Sequence, residues 1–228
     1  MGKKLFLFDL DGTLVTTGGA GLRALDRAFE SLLGLRNAME GVSPAGKTDP
    51  LIVREVFVEK LGRVPSADDT RAVCESYLRY LPEEVKNGSG YRVMAGVRET
   101  LRALAAREEM VLGLGTGNLE RGARIKLAPA GLNDYFPFGG FGSDAEARPE
   151  VLRAGVRRAE ARSGERFSPR DVFVIGDTLL DVEAGKAIGA TTVAVAAGHA
   201  GLEDLRAGNP DILLESLAAE RFWEGLPR

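Results

Sequence analysis

Four short apolar runs constrain the fold of this chain more than any other feature of its sequence. They read KLFLFD from residue 4, MVLGLGT from 110, DVFVIGD from 171 and TTVAVA from 191. Each run is almost continuously apolar, which is typical of parallel strands covered on both faces, whereas a half-exposed strand would alternate. Amphipathic helical patterns of crossover length lie between them. The sequence therefore predicts an α/β fold with a doubly wound, Rossmann-like parallel sheet.

The interval between the first two runs is too long for a simple crossover. Residues 15–90 contain helical patterns and no convincing strand, and the first pattern carries one apolar stripe, made of Leu22, Leu25, Phe29, Leu32 and Leu33. We expect residues 15–90 to form an inserted α-helical cap domain, with residues 1–14 and 91–228 as the α/β core. Glycines near both ends of the insert would act as hinges, namely Gly18, Gly19, Gly21 and the NGSG sequence at 87–90.

The composition narrows the class of protein. The 228 residues carry a formal net charge of −3, so we expect no binding to nucleic acid or to a membrane surface. Cys74 is the only cysteine, which excludes an intrachain disulfide and favours a reducing compartment. The N-terminal apolar run is shorter than that of a signal peptide, and no stretch approaches the roughly 20 apolar residues of a membrane helix. We expect a cytoplasmic monomer or homodimer, in which Trp223 packs a final helix onto the sheet.

Polar residues follow three of the apolar runs at the point where each strand should end. They are Asp9 and Asp11, Thr116 and Asn118, and then Asp177, Thr178 and Asp181. Taken separately, the aspartates are explained by a strand-end turn, or by a helix N-cap followed by a first-turn acid. Because ligands bind beyond the carboxyl ends of such strands, a shared site explains all of them together. Four carboxylates at one edge need a divalent cation, and oxygen ligands without a histidine cluster indicate Mg²⁺.

The GTGN sequence at residues 115–118 is a candidate anion cradle. Its glycines, including Gly117, would expose backbone N–H groups at the start of a helix, although they also suit a plain tight turn. The sequence lacks the G-x-x-x-x-G-K-[ST] pattern of a P-loop nucleotidase. A cation with a spare carboxylate beside an anion site suits phosphoryl transfer.

Four ordered motifs resemble those of the haloacid dehalogenase superfamily. They are DLDGT at 9–13, GTGN around Thr116, ARPE around Arg148 and GDTLLD at 176–181. The resemblance spans the whole chain, since the helical insert is similar to the cap domain of that superfamily, and it is closest to the phosphoglycolate-phosphatase-like branch. One departure is that Arg148 stands where the third motif usually has lysine, which keeps the charge but changes its reach.

The resemblance implies a role for each motif residue. Asp9 would be the nucleophile that forms an aspartyl-phosphate, and Asp11 the general acid and base, kept protonated by the surrounding negative charge. Thr116, Arg148 and the groups around Gly117 and Asn118 would bind the phosphoryl oxygens. Mg²⁺ would be held by the side chains of Asp9 and Asp177 and the carbonyl of Asp11, with Asp181 assisting. The expected substrate is a small phosphorylated metabolite such as phosphoglycolate.

Two further residues and two other functions remain open at this point. In PAGKTDP at 44–50, Asp49 suits an N-cap before Pro50, and Lys47 would meet a substrate carboxylate. His199, alone in a loop, is expected to be solvated. A dehalogenase or a phosphonatase would lack Asp11, so both are disfavoured. A hexose-phosphate mutase of the same superfamily and a non-catalytic module that binds a phosphorylated ligand stay as alternatives.

Overall fold

The computed structural model describes residues 2–218, so the expectation for Trp223 lies outside the described residues. The strands are β1 (Lys4–Phe8), β2 (Val15–Thr17), β3 (Tyr91–Val93), β4 (Met110–Gly115), β5 (Gly139–Gly140), β6 (Val172–Gly176), β7 (Thr191–Val195) and β8 (Ile212–Leu214). Six of them form one sheet in the order β5-β4-β1-β6-β7-β8, and every neighbouring pair is parallel. The predicted α/β fold with a parallel sheet is confirmed.

The α-helices of the described residues are α1 (Ala20–Leu33), α2 (Asp49–Leu61), α3 (Ala67–Asn87), α4 (Val97–Ala105), α5 (Glu120–Leu127), α6 (Arg148–Ser163), α7 (Leu179–Ala187) and α8 (Leu202–Ala207). Helices α4 and α5 cover one face of the sheet, and α6 and α7 cover the other. In β1, Leu5 and Leu7 pack with residues of α6 and α7, while Phe6 and Phe8 pack with residues of α4 and α5. Side chains that alternate along a strand point to opposite faces, so a run that is apolar at every position is buried on both sides. Among residues 2–218, no helix combines the length and apolar character needed to cross a membrane.

Helices α1, α2 and α3 share a hydrophobic core of their own. In α1 the buried residues are Ala20, Ala24, Leu25, Ala28 and Phe29, and they pack with buried residues of α2 and α3. The expected stripe is wrong at its end, because Leu32 is 41% exposed and Leu33 40%. Both leucines lie on the same face of α1 as its buried residues. They are exposed because the last turn of the helix extends beyond the side chains that cover its earlier turns.

The two connections of the helical segment pair with each other. β2 and β3 form an antiparallel ladder in which Val15 lies opposite Val93 and Thr17 opposite Tyr91. The expectation that no strand follows Leu14 before residue 91 is therefore wrong for the short β2. The ladder lies at the proposed boundaries, and the division into a cap at 15–90 and a core at 1–14 and 91–228 stays our proposal.

Candidate active site

The site lies where the sheet reverses its strand order. β1 is flanked by β4 on one side and β6 on the other, so their carboxyl ends open a crevice at the edge where ligands bind in doubly wound sheets. Asp9 follows β1, Thr116 follows β4 and Asp177 follows β6, and all three residues are buried. The structure thus brings together the polar strand ends that the sequence singles out.

The turn after β1 fits closely against the end of β6. Gly12 has φ +84°, and a Cβ added there would lie 2.2 Å from Oδ2 of Asp177. Neither the backbone angle nor the available space admits a side chain at this position. The neighbouring Thr13 donates a hydrogen bond from Oγ1 to Oδ1 of Asp177 at 3.1 Å. Glycine and threonine therefore allow the turn to lie directly on this carboxylate.

A buried cluster of carboxylates forms the centre of the site. Asp9, Asp177 and Asp181 each offer an oxygen within 4.8 Å of the others. Burial raises the pKa of Asp9 to about 7, and the neighbouring carboxylates add to this shift while Arg148 opposes it. A set of oxygen ligands with excess negative charge fits a hard divalent cation such as Mg²⁺.

Neighbouring groups orient Asp177 and Asp181. Oδ2 of Asp177 lies 2.6 Å from the backbone N and 2.8 Å from Nδ1 of His199. His199 is exposed as expected, with 45% of its side chain accessible, and it also contacts the buried Asp177. Thr178, rather than Asp177, is the N-cap of α7, and Asp181 completes a capping box with it.

Arg148 supplies a positive charge to the cluster. It is the first residue of α6, and its Nη2 lies 3.2 Å from Oδ1 of Asp9 and also contacts Oδ1 of Asp181. Its Nε is buried and has no hydrogen-bond partner among residues 2–218. A buried donor without a partner costs about 1–3 kcal/mol, which a bound anion would offset. Arg148 thus contacts Asp9 and still has a donor, Nε, that is unpaired within the described residues and could bind an anion.

The residues after β4 connect the two sides of the crevice. Thr116 is fully buried, and its Oγ1 accepts a hydrogen bond from Nδ2 of Asn118 at 2.9 Å. The same Nδ2 donates to Oδ2 of Asp11 at 2.9 Å. A Cβ added to Gly117 would lie 2.1 Å from the backbone oxygen of Lys47, so glycine permits the loop before α2 to approach.

This loop is hydrogen-bonded to the core. Asp49 donates its backbone N–H to the oxygen of Gly117, and its Oδ2 accepts the N–H of Leu119, both at 2.8 Å. The N-cap of α2 is Thr48, so the expectation that Asp49 fills this role is wrong. The Asp49 carboxylate instead binds the backbone N–H of Leu119, the residue that precedes α5. The ammonium of Lys47 lies 2.6 Å from Glu55, which compensates its charge.

Asp49→Asn is expected to increase stability at pH 8 by up to about 3 kcal/mol in the free energy of unfolding. Burial raises the pKa of Asp49 from 3.8 to about 6, against the opposing effects of Lys126 and the Leu119 N–H. Because the folded state favours the protonated acid, stability should fall as the pH rises from about 4 to about 6. Asparagine keeps an acceptor oxygen for Leu119 and cannot ionise.

Urea unfolding of both proteins at pH 4 and pH 8 measures this effect, with the exposed Asp134→Asn as the control. The advantage of Asp49→Asn should be present at pH 8 and absent at pH 4. An equal gain in stability at pH 4 and pH 8 would contradict the conclusion that ionisation of the buried Asp49 destabilises the folded state.

Sequence reasoning missed Lys126, which enters the site from α5. Its Nζ lies 2.6 Å from Oδ2 of Asp11, and only 6% of its side chain is exposed. The expectation that surrounding negative charge keeps Asp11 protonated did not include this cation. The negative charge alone therefore no longer supports a protonated Asp11. A cavity of about 130 Å³ lies between the sheet edge and the helical segment, and its lining includes Asp9, Asp11, Lys47, Tyr77 and Lys126.

Known proteins resemble this chain over most of its length. The sequence profile of haloacid dehalogenase-like hydrolases matches residues 3–189. A phosphoglycolate phosphatase from Haemophilus influenzae is 27% identical over 225 residues, which cover 94% of this chain and 95% of that protein.

Solved structures share the fold over nearly the whole chain. One is described as a predicted phosphoglycolate phosphatase from Haemophilus somnus, with a TM-score of 0.70, 20% identity and coverage of 97% of this chain and 98% of the other. Another is a β-phosphoglucomutase from Clostridium difficile, with a TM-score of 0.71, 16% identity and coverage of 98% and 96%. At these identities the structures establish the fold, which hydrolases and mutases have in common.

Proposed function

The chain belongs to the haloacid dehalogenase-like hydrolases, and we propose that within this family it is a Mg²⁺-dependent phosphatase of small phosphomonoesters that works through an aspartyl-phosphate. One observation carries the proposal: Asp9 is buried among carboxylates with Arg148 at 3.2 Å, while Asp11 lies at the mouth of the same crevice. A nucleophile, an anion-binding cation and a second acid or base are thus next to one another.

Asp9 is the proposed nucleophile. Its carboxylate oxygen attacks phosphorus as the bond to the leaving alcohol breaks, which gives a phosphorylated Asp9. Arg148 binds phosphoryl oxygens through donors such as its buried Nε, and Thr116 and the N–H groups around Gly117 and Asn118 bind the others. The burial of these groups excludes water until the alcohol has left.

Asp11 is the proposed general acid and base. It gives a proton to the leaving oxygen in the first half of the reaction. In the second half it takes a proton from the water that attacks phosphorus and releases Asp9 and inorganic phosphate. Its side chain is 31% exposed, which leaves it within reach of both the leaving group and this water.

The carboxylate cluster is the proposed cation site. Asp9 and Asp177 would hold Mg²⁺ through their side chains and Asp11 through its carbonyl, with Asp181 assisting. When bound, Mg²⁺ supplies positive charge that offsets the charge of the phosphoryl group and of the carboxylates. His199, Thr13 and Thr178 keep Asp177 and Asp181 in place for this role.

The substrate is proposed to be small, with phosphoglycolate as the first candidate. The cavity volume of about 130 Å³ favours a compact leaving group, and the relative from Haemophilus influenzae is named a phosphoglycolate phosphatase. Lys47 lines the cavity and is proposed to meet a substrate carboxylate, for which it would have to exchange its contact with Glu55.

A hexose-phosphate mutase is the second candidate, because the fold is shared with a β-phosphoglucomutase. The two reactions differ in what receives the phosphoryl group from Asp9. A screen of phosphomonoesters that measures both free phosphate and isomerised sugar phosphate distinguishes them. Release of phosphate from small acidic esters supports the phosphatase, whereas conversion of a hexose phosphate without phosphate release supports the mutase.

Removal of the metal is expected to abolish turnover and Mg²⁺ to restore it. After treatment with excess chelator, the rate of phosphate release should fall by about 100-fold or more, since the negative charge of the cluster is no longer offset. Ca²⁺ should bind without restoring the rate, because its larger and looser coordination shell misplaces the phosphoryl group. Full activity in excess chelator would contradict a metal-dependent mechanism.

A further inference from the structure

A lysine lies on the buried face of α5. The buried residues of this helix are Gly122, Ala123, Lys126 and Leu127, so a cation takes a position that the helical pattern assigns to the interior. Burial of an ammonium is costly unless it is paired. Its partner is Oδ2 of Asp11, at 2.6 Å from Nζ.

The same carboxylate oxygen has a second donor. Nδ2 of Asn118 lies 2.9 Å from Oδ2 of Asp11, so Lys126 and Asn118 both bind this one atom. Within residues 2–218, no side chain or backbone donor is hydrogen-bonded to Oδ1 of Asp11. The two oxygens of Asp11 are therefore distinct: Oδ2 is fixed by the protein, and Oδ1 is left for a ligand.

The surroundings of Lys126 confine its side chain. Its backbone oxygen accepts a hydrogen bond from the Tyr91 hydroxyl at 2.8 Å, which ties this turn of α5 to β3. On the side of the helical segment, a Cβ added to Gly21 would lie 3.3 Å from Nζ. The amine thus lies under the first turn of α1, where glycine leaves just enough room for it.

We propose that Lys126 is a positioning residue that selects which oxygen of Asp11 takes part in the reaction. This inference rests on the proposed function. Lys126 and Asn118 hold Oδ2, so that Oδ1 faces the leaving group. Oδ1–H gives its proton to the bridging oxygen as the P–O bond breaks, and the same oxygen later takes a proton from the attacking water. Lys126 itself does not touch the reacting atoms.

The test compares two leaving groups. An alkyl phosphomonoester needs a proton on its leaving oxygen, whereas p-nitrophenyl phosphate leaves readily without one. Hydrolysis of the phosphorylated Asp9 is common to both esters, so the comparison uses kcat/KM, which reports only the steps up to departure of the alcohol. Lys126→Met should lower kcat/KM for the alkyl ester by about 100-fold and kcat/KM for the aryl ester by less than about fivefold. Lys126→Arg, which keeps a donor to Oδ2, should recover part of the alkyl rate.

A matched control removes a cation from the same helix without touching Asp11. Arg121 is exposed on α5, and Arg121→Met should leave both rates unchanged. Circular dichroism and the urea midpoint of each variant show whether it is folded. If Lys126→Met is not folded, the rates of Lys126→Arg for the two esters provide the test.

Two results would overturn the inference. Equal loss of kcat/KM for both esters would mean a structural or substrate-binding role, and unchanged kinetics would make Lys126 a bystander. The wild-type rates tell these results apart from failure of the proposed function. Wild-type protein with Mg²⁺ that hydrolyses neither ester overturns the phosphatase, and this inference with it.

Discussion

Asp9→Asn is expected to reduce the rate of phosphate release by on the order of 10⁴-fold or more. The amide has the size of the carboxylate but does not attack phosphorus. The substitution should also preserve the fold. Asp9 is 6% exposed and shares its surroundings with three other carboxylates, so loss of its charge relieves repulsion.

The stability of this variant provides a check that is independent of activity. Since burial raises the pKa of Asp9 to about 7, the ionised carboxylate destabilises the folded state in the absence of metal, and increasingly so as the pH rises from about 4 to about 7. At pH 8 without Mg²⁺, Asp9→Asn should therefore unfold at a higher urea concentration than the wild type.

The matched control makes the same chemical change at the other end of the sheet. The Asp211 carboxylate accepts the N–H of Thr192 near the start of β7, and Asp211→Asn should leave turnover unchanged. An Asp9→Asn protein with activity within about tenfold of wild type would contradict the nucleophile assignment, since a positioned nucleophile contributes far more than this.

The centre of the sheet was predictable because its strands are buried on both faces. The sequences of such strands are continuous apolar runs. The residue at which each run ends marks the carboxyl end of the strand, and therefore the edge of the sheet where ligands bind. β5 and β8 were missed because they have two and three residues, too few for any periodicity. β2 is equally short, and its partner β3 lies about 75 residues further along the chain, so no local pattern reveals the pair.

Side-chain partners across the site were less predictable than the motif residues. The sequence does contain a signal for Lys126. It lies on the same helical face as Ala123 and Leu127, where the amphipathic pattern predicts an apolar residue. His199 follows β7 at the same sheet edge, so the strand-end argument that selected Asp177 applied to it as well. The sequence contains no such signal for Asp49: its Asp-Pro sequence suits a local cap, and its bond to Leu119 depends on how the helical segment docks.

Arg148→Met is expected to impair both stability and activity. Arg148 is 7% exposed and contacts Asp9 and Asp181, so its removal leaves buried carboxylates without their cation. Loss of one partner of a buried pair costs about 3–5 kcal/mol in the free energy of unfolding. Turnover with saturating Mg²⁺ should fall by about 10²–10³-fold, because a cation aimed at the phosphoryl group is lost.

Two further variants separate the charge of Arg148 from its shape. Arg148→Lys restores the residue that the third motif usually has. It should recover most of the stability and part of the rate, since an ammonium keeps the charge but differs in reach from the guanidinium, whose Nη2 contacts both carboxylates. Arg153→Met, on the exposed side of α6 beside Glu150, should change stability by less than about 0.5 kcal/mol.

Mg²⁺ gives the sharpest test of Arg148, because both cations offset the charge of the same carboxylates. If Arg148 compensates Asp9 and Asp181, its loss makes the folded state depend more strongly on the divalent ion. Urea unfolding with and without Mg²⁺ should then show a larger stabilisation by the metal in Arg148→Met than in wild type. Equal stabilisation of both proteins, with the rate of Arg148→Met within about threefold of wild type, would mean that Arg148 neither balances the cluster nor binds the phosphoryl group.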